Sequence, residues 1–102
     1  MARRVRIASR AELDSRKSIQ LEDGDLTIAA FAVAGEYHAL EGRCPHRGGP
    51  LGEGTLSGTT VICPWHRWRF DVTTGRCTSH PQRDVRHRPV TLQADDVWIE
   101  IE

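Results

Sequence analysis

Two short stretches of the chain carry residue types that bind metal, Cys44-Pro45-His46 and Cys63-Pro64-Trp65-His66. Each supplies one thiol and one imidazole in the same order, so together they offer two sulfur and two nitrogen donors. Tetrahedral sulfur and nitrogen donors suit zinc or an iron-sulfur centre. Zinc modules usually pair Cys with Cys and His with His at short spacing, whereas here the two types alternate. A mixed pair on each loop suits a two-iron cluster with unlike ends, each loop giving its Cys to one iron and its His to the other. A zinc site stands as the competing reading.

With its neighbours, Cys44-Pro45-His46-Arg47-Gly48-Gly49-Pro50-Leu51 resembles the first cluster loop of Rieske [2Fe-2S] proteins. Cys63-Pro64-Trp65-His66-Arg67-Trp68-Arg69-Phe70-Asp71 resembles their second, and Gly75 fits the usual continuation. The resemblance implies an all-β fold, a Rieske-type antiparallel sandwich or barrel with the two loops at one tip. It also implies one [2Fe-2S] cluster per chain, with Cys44, His46, Cys63 and His66 as its metal ligands and no catalytic residues. In weaker form Ser79-His80-Pro81 resembles the proline-containing third loop that covers the cluster in this family.

Three departures bear on chemistry. Rieske proteins of respiratory complexes carry an extra disulfide across the loops, where this chain has Gly48 and Trp65, and place Ser and Tyr donors where it has Trp68 and Phe70. Fewer donors to sulfur mean less stabilisation of added negative charge, so the resemblance points to the low end of the Rieske range, nearer about −150 mV than +300 mV. The third departure is Arg67, where the family usually has Gly. Arg cannot adopt every backbone conformation open to Gly, and the resemblance places its cation beside the tip of a ligand histidine.

Two ferric ions, two sulfides, two thiolates and two neutral imidazoles sum to zero charge, and one added electron leaves a single negative charge. With every metal position filled there is no vacancy of the kind catalytic metals keep. The chain is therefore expected to be an electron-transfer protein and not itself an enzyme. The resemblance implies a low-potential carrier from an NAD(P)H-dependent flavoprotein reductase to a terminal oxygenase. The alternative is a Rieske small subunit of a nitrite reductase-like oxidoreductase, and a structural zinc-binding module comes third.

The elements that must position these loops read as short strands. Residues 3 to 8 alternate as a first strand, and Ser9 with Glu12 forms a capping-box signature that predicts at most one helical turn. Ser18 to Leu21 and the apolar run from Leu26 to Ala34 flank Asp23-Gly24, a hairpin signal. Tyr37 to Leu40 then delivers the chain to the first loop; His38 on this strand is read as an ordinary side chain and not as a ligand. Thr59 to Ile62 leads into Cys63, and Trp68, Phe70 and Val72 alternate with charged residues as one apolar strand face. Residues 87–92 and 97–101 close the fold. Trp65, Trp68 and Trp98 are read as core or cluster shielding.

At 102 residues the chain is expected to be one domain, 1–102, with a cluster-binding part at about 43–82. Of three cysteines only Cys77 is left over, so no internal disulfide is expected, as in a reducing compartment; Cys77 itself is read as a small, partly buried residue. The basic start, Met1-Ala2-Arg3-Arg4, is followed by no apolar stretch of signal length, and the longest apolar run, Ile28 to Ala34, is too short for a membrane span. A cytoplasmic protein is expected, with no membrane partner. Net charge is zero, yet residues 43–88 carry eight Arg against Glu53, Asp71 and Asp84, leaving the remainder acidic. Arg43, Arg47, Arg67 and Arg69 are expected near the cluster, able to dock an acidic partner surface. No aromatic-basic platform marks a nucleic-acid site.

Overall fold

The computed structural model describes residues 3–101; the expected domain limits at 1 and 102, and the Met1-Ala2 start, lie outside the described residues. The described residues fold into three antiparallel sheets, one short α-helix and a single 3-10 turn at Leu51–Glu53. β1 (Arg3–Ser9), β10 (Asp96–Ile101) and β9 (Val90–Gln93) make the first sheet, in that order. β2 (Ser18–Asp23), β3 (Leu26–Val33), β4 (Glu36–Glu41) and β8 (His87–Arg88) make the second. The third holds β5 (Thr55–Ser57), β6 (Thr60–Ile62) and β7 (Arg69–Asp71).

β3 is the hub, because it is buried on both faces. Successive side chains of a strand point to opposite sides, and here Ile28, Ala30 and Ala32 enter one core while Ala29 and Phe31 enter another. The first core packs β3 against β1, β10 and the helix through Val5, Ile7, Leu13, Val97 and Ile99. The second packs it against the small sheet through Val61, Phe70 and Val72, and it includes Cys44, Cys63 and Cys77. A strand covered on both sides reads as an unbroken apolar run rather than an alternation, which is why residues 28–34 look continuous in sequence. Full burial of Phe31 and Phe70 stabilises this second core by about 1.5–3 kcal/mol each.

Tight two-residue turns set the registers. Gly24-Asp25 joins β2 to β3, with Asp23 opposite Leu26 and Gly24 at φ 63°, so the turn sits one residue beyond the expected Asp23-Gly24 centre. Ala34 and Gly35 both take positive φ between β3 and β4, the backbone twist that two-residue hairpins prefer.

Two expectations about local structure are corrected. The helix α1 (Arg10–Arg16) spans seven residues rather than at most one turn. Both its ends are closed: the Glu12 amide donates to Ser9 Oγ at 3.1 Å and the Lys17 amide to the Leu13 carbonyl at 2.8 Å, while Leu13 is fully buried. Packing and capping together supply what a short helix lacks in propagation. The expected single strand over residues 87–92 is two strands. β8 pairs with β4 and β9 with β10, divided at Pro89, which cannot donate a ladder hydrogen bond.

Candidate cluster site

The two loops hang between strands anchored in the second core. Loop 1 follows β4 and is pinned by an Arg43–Pro50 bridge, and the Cys44 amide donates to the Gly49 carbonyl at 2.8 Å. The Gly48 amide returns to the Cys44 carbonyl at 2.7 Å. Loop 2 leaves β6, and the Cys63 amide donates to the Trp68 carbonyl at 2.7 Å to close it. Each loop is therefore a tight turn with its Cys at the base and its His toward the outside.

The structure brings the four expected residues together as two pairs. Cys44 and Cys63 are buried, 2% and 0% exposed, and close enough that Cys63 disfavours ionisation of Cys44. Burial, more than the neighbouring Cys63, pushes the Cys44 thiol up to about 11, although the His46 backbone amide pulls the other way. The imidazoles of His46 and His66 lie edge to face with ring centroids 4.5 Å apart. His46 is half-buried and its pKa is lowered, by burial first and then by His66, Arg47 and His80. A ring held neutral keeps a nitrogen lone pair for a metal.

The donors fit a cluster on one direct observation. His46 Nδ1 is buried and has no hydrogen-bond partner, a state that costs free energy unless something binds there. Among the described residues no three His, Cys, Asp or Glu side chains gather around one point. Two sulfurs on one side and two imidazoles on the other suit two iron atoms with two protein ligands each better than a single ion that needs three or four.

Several features of the site are not legible in the sequence. Trp68 stacks on His80 at 3.8 Å and 12° and lies 4.7 Å from the His46 ring, so it is a half-buried wall beside the imidazoles. The segment 79–81 does reach the site, through His80 rather than Pro81; Ser79 Oγ accepts from the Arg69 amide at 3.0 Å and contacts His80 Nδ1 at 2.9 Å. Trp65 differs from the shielding role expected of it, being 49% exposed. Arg43 also departs from expectation: its Nε donates to Thr27 Oγ1 and its guanidinium pairs with Glu22, which holds it against β2 and β3. His38 lies on β4, 3.5 Å from Glu36, and takes no part.

Cys77 is fully buried, 2% exposed, rather than partly buried as expected. It sits opposite Phe70 in an isolated bridge, and its amide donates to Asp84 Oδ1 at 2.8 Å.

His66 and Arg67 take φ of 65° and 60°, the left-handed region that costs a non-glycine residue of order 1–3 kcal/mol. Two such residues in succession turn loop 2 sharply enough to present the His66 ring.

The chain is similar to known proteins. The family model described as "Rieske [2Fe-2S] domain" matches residues 3–94. The ferredoxin component of the naphthalene 1,2-dioxygenase/salicylate 5-hydroxylase systems of Ralstonia sp is 34% identical over 76 residues, covering 74% of this chain and 73% of that protein. The 4beta-methylsterol monooxygenase of Methylococcus capsulatus is 40% identical over 84 residues, and the match takes in 71% of this chain but 22% of the monooxygenase. The chain thus spans about a fifth of that larger relative. In fold, the Sphingomonas yanoikuyae B1 ferredoxin superposes with a TM-score of 0.88 over 98% of this chain and all of its own, at 24% identity.

Proposed function

The chain belongs to the Rieske [2Fe-2S] family, and from that premise we propose that it is a one-electron carrier in which Cys44, His46, Cys63 and His66 hold the cluster. The cluster, when bound, accepts and returns one electron. The observation that carries the ligand assignment is the convergence of two buried thiols and two imidazoles from separate loops, with His46 Nδ1 buried and unpartnered.

The residues around the donors do the rest. The buried thiols and the second core exclude water from the sulfur side, while His46, walled by Trp68, and the exposed His66 present the imidazole edge outward. Gly49 and the left-handed pair His66-Arg67 let the loops close on the site. We read the chain as the carrier of a multi-protein system, receiving electrons from an NAD(P)H-oxidising flavoprotein and passing them to a terminal oxygenase. The similarity in size and sequence to a dioxygenase ferredoxin component supports that reading.

Anaerobic reductive titration tests it. Uptake of one electron per chain, followed by reoxidation when a ring-hydroxylating oxygenase is added, is the expected result. A protein that takes up no electron, or is reduced but oxidises substrate alone, would contradict it.

A further inference from the structure

Charge is separated along the sequence. Residues 43–88 carry five more positive than negative charges, and the remainder an equal excess of negative ones. Two of the eight arginines in that segment are neutralised by acids outside it, Arg43 by Glu22 and Arg88 by Glu41. Arg47, Arg67, Arg69, Arg76, Arg83 and Arg86 have no carboxylate at ion-pair distance among the described residues. Two of these stand directly next to the imidazole donors, Arg47 after His46 and Arg67 after His66, and both are exposed.

Arg67 is the informative one. Its φ of 60° is a conformation that Gly adopts freely, so the fold alone favours Gly there. The side chain makes no hydrogen bond or ion pair among the described residues to offset that strain. Beside it, Arg67 and Arg69 line a depression of about 410 Å³ with Thr55, Ile62, Cys63 and Pro64, a hollow of cationic rim that reaches the Cys63 end of loop 2. Trp65, half exposed and close over Gly49, adds the kind of aromatic anchor that dominates interface energies.

We propose that Arg47 and Arg67, with Trp65 as apolar anchor, form a docking rim that seats an acidic surface of the redox partner against the His46–His66 edge. This rests on the carrier function above. The unpaired cations at this edge would attract an opposite surface during encounter, since the field of a protein's charges steers association. Two unpaired cations flanking the imidazoles would also penalise a basic partner. The turn needs the positive φ at this position but not an arginine; the strained residue persists there because its cation is needed.

The test uses the reduced holoprotein and two small oxidants of opposite charge, hexacyanoferrate(III) and tris(phenanthroline)cobalt(III), in stopped flow. R47Q, R67Q, R67G and the double variant R47Q/R67Q are compared after their visible spectra show the cluster in place. The anionic oxidant should react about three- to tenfold more slowly with the double variant at low salt, the cationic one faster, and both differences should shrink as salt is raised. R67G should lose the same rate advantage as R67Q while unfolding at a higher temperature than wild type. Equal charge dependence in all proteins, or an R67G that is less stable, would overturn the proposal. So would cosedimentation with phosphatidylserine vesicles that R47Q/R67Q abolishes, because the rim would then face an anionic membrane. Failure of the carrier function itself shows differently: a wild-type protein that cannot be reduced gives neither oxidant anything to react with.

Discussion

A β-carbon placed on Gly49 would stand 2.7 Å from the Cys63 sulfur. The first loop therefore passes so close over the second that one methyl group would press on that sulfur, and on Trp65 Cβ at 3.2 Å as well. G49A should fold, because the Gly49 backbone needs no positive φ, yet bind iron and labile sulfide at well under half the wild-type content. Full loading of G49A would show that the loops do not meet over the cluster as closely as this.

Three buried thiols differ in their expected roles. The Cys44 thiol, pushed up to about 11 by burial, would be only about one-thousandth thiolate at pH 8 in the metal-free protein. Iodoacetamide should therefore alkylate Cys44 in the folded apoprotein far more slowly than in the unfolded chain, as read by peptide mass spectrometry. C44S and C63S should lose the visible cluster spectrum. C77S should keep it and unfold at a lower temperature, its hydroxyl being buried beside Phe70; a C77S protein without iron would make Cys77 part of the site.

His87 supplies a pH dependence away from the ligands. Burial first, and then His38, lower its pKa from the ordinary 6.5, so the fold favours the neutral ring. The unfolded chain then binds the proton first as pH falls. Stability from this group is complete above about pH 6.5 and is lost as pH drops through the lower folded value. Between pH 6.5 and 5 the unfolding temperature of wild type should fall more than that of H87Q. Parallel curves for the two proteins would contradict the assignment.

Phe70 is wholly buried in the second core and has no hydroxyl to donate to sulfur, and Trp68 is spent on stacking with His80. With those donors absent, the midpoint potential should lie below zero, nearer about −150 mV than +300 mV. Introducing a donor by F70Y should raise it; protein-film voltammetry reads both. A wild-type midpoint above zero would refute the link between these positions and the potential.

That the two Cys-His loops come together was legible in the sequence because the donor types and their spacing are those a metal centre would set, whatever surrounds them. β3 was legible as a strand, but its burial on both faces was not what its length alone announced; that came from the small sheet folding back over Phe31. The split at Pro89 was signalled by the residue itself, which cannot donate a ladder hydrogen bond. The closeness of His80 to Trp68 had no local signal at all, since it joins residues twelve apart through the irregular segment after Cys77. Trp65 was misread because size and hydrophobicity argue for burial, whereas its place at the end of a tight ligand turn leaves no core to enter.

The central claim is that two imidazoles from different loops bind the same diiron centre. Pulsed electron paramagnetic resonance of the dithionite-reduced protein tests it most directly: two strongly coupled histidine nitrogens should appear in wild type, and H46C or H66C should remove one of them. A reduced centre with no coupled nitrogen, or a protein that contains zinc and gives no paramagnetic signal, would contradict it.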